Sequence, residues 1–446
     1  MSVIARKPEK PPAKGPTDER YFDARDLESE LYRAFQICHE CRMCVGYCGS
    51  FPSLFDRIDR DIESGVAEGA EKLGYDDFKK VADECWQCKL CYIKCPYTED
   101  EGAAELLDFP RLMAREKAVR AARDGVPLVD KILGEPQLVG WLQSGVAAPA
   151  AKLVLASRLV RKVQEKVTGI SAEFPLPQPA RETFGAWFDK HVPADDAGTA
   201  GEVVLYATCM GDFNVPQVAV AAVKVLEHNG LRVLRPGAAS DDQACPELSC
   251  CGMPNVDGGD VAGATAKIRH NVAALVPHVK QGRKVVVLQP TCAYMVKKEW
   301  VEYAPGPDTE AVAAAAVDVM ELLVQLGREK KLKREFERGL GTVAYHAPCH
   351  LRAQKIGVPG SRILGIVPDT DVRVVEQCSA VDGTWGMKAA HYETGRKYAQ
   401  KLVRGVAELE PDMVVSDCAL SGLRIEKENG VRVVHPIEAV AEAYGL

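Results

Sequence analysis

Cysteine spacing constrains this chain more than any other feature. Of its 16 cysteines, eight form two matching strings, Cys38-x-x-Cys41-x-x-Cys44-x-x-x-Cys48 and Cys85-x-x-Cys88-x-x-Cys91-x-x-x-Cys95-Pro96. Three thiolates at this pitch wrap one face of a [4Fe–4S] cube, and the fourth reaches over to a second cube. The spacing therefore groups Cys38, Cys41 and Cys44 with Cys95, and Cys85, Cys88 and Cys91 with Cys48. Two clusters ligated crosswise sit close enough for an electron to hop between them. Disulfides or structural zinc need only two C-x-x-C pairs and leave the third and fourth cysteines of each string unexplained.

The bulk numbers set the frame. At 446 residues the chain suits roughly two to four domains. Its net charge of −7 gives no electrostatic case for nucleic acid. Cysteines at cluster spacing need reducing surroundings, which points to a cytoplasmic location. The opening MSVIARKPEKPPAKGPTDER has no apolar signal core, and residues 1–21 read as a flexible Pro/Lys-rich tail. No run of about 18 apolar residues occurs, so no membrane span is expected.

Residues 22–105 form the two-cluster ferredoxin domain. The 36 residues between Cys48 and Cys85 are too many for a minimal β-type ferredoxin, and their text favours helix around Phe55–Glu63 and Asp76–Glu84, with Asp76 as N-cap. The domain is expected to be α-helical. Residues 106–200 contain no cysteine and read as a helical connector. Within it, Leu138 to Lys162 is apolar and rich in small residues, and Arg158, Arg161, Lys162 and Lys166 close it. Two readings stay open: an amphipathic connector packed on the next domain, or a segment lying in a membrane interface with its basic residues at anionic head groups. Pro149 is expected to break or kink this stretch.

Beyond residue 200 the chain repeats itself. Val203–Cys209 and Val343–Cys349 are buried-strand runs ending at cysteine, 140 residues apart. Each leads through a helix-like segment to another strand, then to Cys250-Cys251-Gly252 in the first copy and Cys378-Ser379-Ala380 in the second. A glycine-containing loop follows (Asp257-Gly-Gly-Asp; Asp382-Gly-Thr-Trp-Gly), then a long helix and a strand ending at Cys292 or Cys418. Strands alternating with helices mean βαβ units and parallel sheet. The fold class is α/β: an N-terminal α-helical two-[4Fe–4S] ferredoxin domain and a C-terminal pair of pseudo-repeated α/β lobes, spanning 201–340 and 341–446. Their cysteines fall at the C-terminal ends of strands, where open α/β sheets place ligands.

Lobe one offers Cys209, Cys250, Cys251 and Cys292, a set suited to one tetrahedral-sulfur site, a cubane or a zinc. Gly252 and Gly258-Gly259 are expected to let the backbone close on a bulky cofactor. Cys245 has no counterpart in lobe two; it is either a fifth ligand or an inert thiol nearby. Lobe two offers Cys349, Cys378 and Cys418, with Ser379 in place of a second adjacent cysteine, and His346, His350 and Asp417 close by in sequence. His346 is the candidate fourth ligand, for zinc or an iron–sulfur cluster.

At these residues the chain resembles a known family. Cys38 to Cys48, Cys85 to Pro96, Cys250-Cys-Gly-Met-Pro, His346-Ala-Pro-Cys-His-Leu-Arg352 and Cys378-Ser-Ala-Val-Asp-Gly-Thr-Trp-Gly386 carry the likeness. Together they are similar to the iron–sulfur subunits of anaerobic glycerol-3-phosphate dehydrogenase and of glycolate oxidase, and to the heterodisulfide reductase subunits of the same CCG-domain family. The resemblance covers about residues 30 to 440. It implies two CCG lobes and a role in electron transfer. The full family motif ends each lobe in C-x-x-C, whereas the partner positions here are Met295 and Ser421. In the disulfide-reducing members each lobe supplies five cysteines to one unusual cluster, a number lobe one reaches only with Cys245.

The expected function is an iron–sulfur subunit relaying electrons from a FAD-containing dehydrogenase subunit to a quinone or other carrier. The chain has no G-x-G-x-x-G after a strand with which to hold FAD or NAD itself. Its expected cofactors are two [4Fe–4S] clusters, a third iron–sulfur cluster in lobe one, and a further cluster or zinc in lobe two. The basic segment near Arg158–Lys166 would hold the complex peripherally at the cytoplasmic face of the inner membrane. The competing reading is a heterodisulfide-reductase-like catalytic subunit that reduces a disulfide at the lobe-one cluster. A third reading is an oxygen-sensing regulatory protein.

Overall fold

The computed structural model describes residues 5–381 and 383–446; Met1–Ile4 of the expected tail and Asp382 of the second glycine loop lie outside them. By contacts the chain divides into two units, one of residues 1–134 with 254–263, the other of residues 135–253 with 264–446.

The first unit is helical: α1 (Ala24–Cys41), α2 (Ser50–Glu63), α3 (Tyr75–Asp83), α4 (Leu90–Lys94), α5 (Phe109–Asp124) and α6 (Leu128–Leu133). Asp23 starts α1 by accepting from the N–H groups of Arg25 and Asp26, a cap worth about 1 kcal/mol. The cap of α3 is not Asp76: Gly74 occupies that place, and the Asp77 carboxylate accepts from the Gly74 N–H at 2.9 Å. Between the helices lies an aromatic core, with Phe51 and Phe109 centroids 4.6 Å apart and Phe35 bridging Phe78 and Phe109 at 5.9 Å each. The N-terminal stretch expected to be a free tail is partly packed. Ala13 and Tyr21 are buried beside Ala118 of α5, and Arg115 donates to the Tyr21 carbonyl at 2.8 Å.

The glycine pair Gly258-Gly259 also serves packing. A Cβ on Gly259 (φ +75°) would lie 2.4 Å from the Lys117 carbonyl oxygen of α5, and one on Gly258 would lie 2.7 Å from Cβ of Asp130 in α6. The close approach is to helix backbone and side chain, which corrects the expectation of a cofactor there.

The second unit begins with α7 (Pro136–Gln143), α8 (Ala148–Ala156) and α9 (Arg158–Thr168). Pro149 does not break a helix. It sits in the first turn of α8, where its missing N–H is no loss, and the break falls instead at Ser144–Gly145, with a 68° bend. These helices leave much of their apolar surface bare: Trp141, Leu153 and Leu159 are 69, 75 and 79% exposed. Among the described residues no single helix is long and apolar enough to cross a membrane.

Two four-stranded parallel sheets follow, β2-β1-β3-β4 and β6-β5-β7-β8. Their strands are β1 (Gly201–Tyr206), β2 (Leu231–Leu234), β3 (Lys284–Val287), β4 (Ala316–Asp318), β5 (Gly341–His346), β6 (Thr370–Val375), β7 (Met413–Ser416) and β8 (Val433–Val434). The 140-residue offset maps β1 onto β5 end to end. Valine-rich runs such as Lys284-Val-Val-Val287 suit strands covered on both faces. One core runs through both lobes: Val203, Leu226 and Leu323 belong to the same buried cluster as Val343, Leu364 and Val440. Gly259→Val, which adds bulk against the Lys117 carbonyl at a positive φ, should destabilise the protein by about 1–3 kcal/mol. Denaturant unfolding monitored by helix signal measures this, and an unchanged midpoint would contradict the packing role.

Candidate metal centres

The two cysteine strings fold alike. Cys38 and Cys41 lie on the last turn of α1, and the chain leaves through Arg42 at φ 54°, whose N–H returns to the Cys38 carbonyl at 2.8 Å. At the equivalent place in the second string, directly after Cys88, Lys89 has φ 61°. A left-handed residue at each site turns the backbone around the sulfurs although neither is glycine, a conformation that side chains seldom adopt.

The thiols gather in two groups. Burial, then the neighbouring sulfurs of Cys95, Cys44 and Cys41, push Cys38 well above an ordinary thiol. Cys44 is pushed up to about 12 by burial and by Cys95 and Cys41. In the other group, burial and Cys85 raise Cys48. Cys91 is raised by burial and then by Cys88, Cys85, Cys48 and, from the first group, Cys44. Cys95 thus stands with the first string and Cys48 with the second, and Cys44 and Cys91 lie where the groups adjoin. An apolar cavity beside Cys38, Cys41, Cys44 and Cys95 is walled by Phe51 and Phe109. Four half-buried thiols crowded together do not readily all ionise without a cation among them; this donor set fits iron, whose positive charge would favour their thiolate forms.

In lobe one, Cys209 follows the end of β1, Cys250 and Cys251 lie in the loop before Met253, and Cys292 lies on the helix Pro290–Tyr294 after β3. These four are brought together. The neighbouring thiols hold Cys250 low and push Cys209 and Cys251 up, with Cys292 also acting on Cys251. Thr208 at φ 70° and Gly252 at φ 92° set the two turns. Three residues that no sequence motif singles out hold this loop. Asn271, fully buried, accepts from the Ser249 N–H at 2.7 Å and donates to the Cys250 carbonyl at 3.0 Å. Trp300 donates to the Cys251 carbonyl at 3.0 Å, and Tyr206 to that of Ser249 at 2.6 Å. The one legible signal was the asparagine within the mostly apolar helix Val261–Lys280. Cys245 stands apart: its neighbours are Asp241 and Asp242 rather than the four thiols.

Lobe two repeats the scaffold with a different lining. Cys349 opens the helix Cys349–Ala353, Cys378 accepts from the Ala380 N–H at 3.2 Å, and Cys418 precedes the helix Ala419–Asn429. Where lobe one has Cys251 and Met295, lobe two has Ser379 and Ser421, whose hydroxyls bond each other at 2.9 Å. The expectation for His346 needs correcting. Its Nδ1 accepts from the Ser416 hydroxyl at 2.9 Å and its Nε2–H donates to the Gln377 carbonyl at 3.1 Å. Both nitrogens are engaged, and burial lowers the ring to about 4. The histidine ties the ends of β5 and β7 to the Cys378 loop, and a metal would have to displace one of these bonds.

The lobes meet through polar groups at their strand ends. Thr291, beside Cys292, bonds His350 Nδ1 at 3.0 Å, and Gln289 accepts from the Ala419 N–H at 3.2 Å. Two buried carboxyls lie here. Burial, with Asp318 nearby, lifts Asp417 to about 8, and Asp417 accepts from the Tyr345 hydroxyl. Burial lifts Asp318 to about 6, opposed by Lys297.

Comparison with known proteins follows the same division. The 4Fe-4S dicluster domain matches residues 37–100, and the Cysteine-rich domain, CCG, matches 203–297 and 343–425. This chain is a CCG-domain iron–sulfur protein. It is 26% identical over 322 residues to a subunit of the anaerobic glycerol-3-phosphate dehydrogenase of Escherichia coli, covering 70% of this chain and 76% of that protein. It is 24% identical to a subunit of the fumarate reductase (CoM/CoB) of Methanothermobacter marburgensis, covering 85% of this chain and 76% of that one. With a subunit of the dihydromethanophenazine:CoB–CoM heterodisulfide reductase of Methanosarcina mazei it shares 28% identity over 58% of this chain and 62% of the relative. These relatives are subunits of multi-component dehydrogenases and reductases.

Asp318 supplies a pH test. An ordinary aspartate ionises at about 3.9. The folded value is the higher one, so stability contributed in acid is lost as pH climbs through about 6. Asp318→Asn keeps an oxygen to cap Met320 and removes the charge. Thermal unfolding should show the variant gaining on wild type between about pH 4 and pH 6 and the difference levelling off above about pH 7; a constant difference across that window would contradict this assignment.

Proposed function

We propose that this chain is the electron-carrying subunit of a multi-component oxidoreductase. Cys38, Cys41, Cys44 and Cys95 would hold one [4Fe–4S] cluster, Cys85, Cys88, Cys91 and Cys48 the second, and Cys209, Cys250, Cys251 and Cys292 a third centre in lobe one. When bound, such clusters supply one-electron redox chemistry. A FAD-containing partner would deliver electrons, and a quinone or other carrier would accept them. The crosswise grouping of the eight N-terminal thiols, with Cys44 next to Cys91, is the observation that carries this reading.

The protein's own residues have definite tasks in this scheme. Arg42 and Lys89 turn the chain around the sulfurs, and Phe51 and Phe109 keep water from one group. Asn271, Trp300 and Tyr206 fix the carbonyls of the lobe-one loop. Lobe two, with Cys349, Cys378 and Cys418 and a serine pair, is a thinner donor set for a further metal. Disulfide reduction is the weaker reading, because Cys245 keeps company with carboxylates rather than the lobe-one tetrad.

The bare apolar surface of α7 to α9 supports a peripheral place at the cytoplasmic face of a membrane. Arg158, Lys162 and Lys166 are exposed beside it, whereas Arg161 is turned inward to the Ser171 and Phe174 carbonyls. Apolar side chains flanked by cations suit anionic lipid, each cation adding about 1 kcal/mol near the surface.

Two experiments test these readings. Anaerobically purified protein should carry about eight irons attributable to the N-terminal thiols, and Cys48→Ala should abolish the spectroscopic signal of the cluster on Cys85, Cys88 and Cys91 while sparing the other. Loss of the nearer cluster instead would refute the crosswise assignment. For the membrane, sedimentation with vesicles should show binding that needs anionic lipid and weakens with salt, and Leu159→Glu should reduce it; equal binding to zwitterionic vesicles would rule the electrostatic part out.

A further inference from the structure

Cys245 has surroundings unlike those of the cluster cysteines. It lies in the loop after β2 and is 8% exposed. Its N–H donates to Asp241 Oδ2 at 2.8 Å, and Asp241 Oδ1 faces His278 Nε2 at 3.3 Å. One potential ligand atom from each of Asp241, Cys245 and His278 lies within 4.8 Å of the other two. The His278 side chain has no exposure, and Nε2 makes no hydrogen bond among the described residues. A carboxylate, a thiol and an imidazole are three donor types that zinc accepts, with a fourth position left for water. We propose that Asp241, Cys245 and His278 form a mononuclear zinc site in lobe one.

The site is separate from the tetrad. Arg283, which touches His278, directly precedes β3, and its partner Glu202 is the second residue of β1; both mark the N-terminal edge of the sheet. The tetrad occupies the C-terminal edge. This inference therefore stands whether or not the electron relay does.

Neighbouring charges complete the site. Arg283 Nη1 lies 3.0 Å from His278 Nδ1 and 2.7 Å from Asp242 Oδ1, while Nη2 lies 2.7 Å from Glu202. In the metal-free protein Nδ1 accepts from Arg283, so the ring proton rests on Nε2. Zinc takes the Nε2 lone pair, and the proton passes to Nδ1. Asp242, which Arg283 also binds and whose charge acts on His278, is the carboxylate available to the Nδ1–H, as in the carboxylate–histidine–metal order that orients such ligands. The Cys245 proton is released to solvent.

The test uses full-length protein, purified without air from zinc-supplemented cells, with zinc and iron measured together. Wild type should hold about one zinc that Cys245→Ser and His278→Ala each reduce at least about tenfold, with iron unchanged. Asp242→Asn should weaken zinc about 10–100-fold in chelator competition. Cobalt in place of zinc should give a thiolate charge-transfer band that Cys245→Ser abolishes. Wild type without zinc, or with zinc that both variants retain, overturns the proposal. Should the variants fail to fold, alkylation of wild-type Cys245 decides: zinc should slow it at least tenfold, and a rate indifferent to zinc is equally fatal.

Discussion

Sulfur crowded against sulfur is the constraint on which this molecule turns. Burial and neighbouring sulfurs push up Cys38, Cys44, Cys48, Cys91, Cys209 and Cys251, and a cation held among such thiols would relieve that cost. The fold keeps these sulfurs close at a cost in backbone comfort. Arg42, Lys89 and Thr208 accept left-handed conformations that side chains normally avoid, and Asn271 spends a fully buried amide on one loop. These four residues each lie beside converging cysteines.

The two lobes separate scaffold from lining. Their sheets have the same strand order and the same parallel register, and cysteine follows the first and third strand of each. Yet lobe one gathers four thiols, whereas lobe two closes the corresponding corner with the Ser379–Ser421 hydrogen bond and a histidine saturated on both nitrogens. A hydroxyl pair that satisfies itself has little left for a metal. Burial lifts both carboxyls near this junction, Asp417 to about 8 and Asp318 only to about 6, so at neutral pH Asp417 is a hydrogen-bonding acid while Asp318 is mostly ionised.

Much of this was legible in the sequence, for a physical reason. Cluster spacing is a short-range property: Cys38, Cys41 and Cys44 must lie a few residues apart whatever surrounds them. The parallel lobes announced themselves through valine runs ending at cysteine. What escaped depended on distant partners. Gly258-Gly259 looked like room for a cofactor because only the folded chain reveals the Lys117 carbonyl against it. Asp76 looked like a cap because aspartate often is one, but Gly74 and Asp77 share that task. Asp241, Cys245 and His278 lie too far apart in sequence, 33 residues from Cys245 to His278, for spacing alone to join them.

Because Val203 and Val343 contribute to one continuous interior, neither lobe has a complete core of its own. Cutting the chain near Leu340 would strip the first sheet of part of its cover and expose valines that water disfavours. Lobe two can therefore exchange sulfur for serine, and still persist, because its neighbour leans on it.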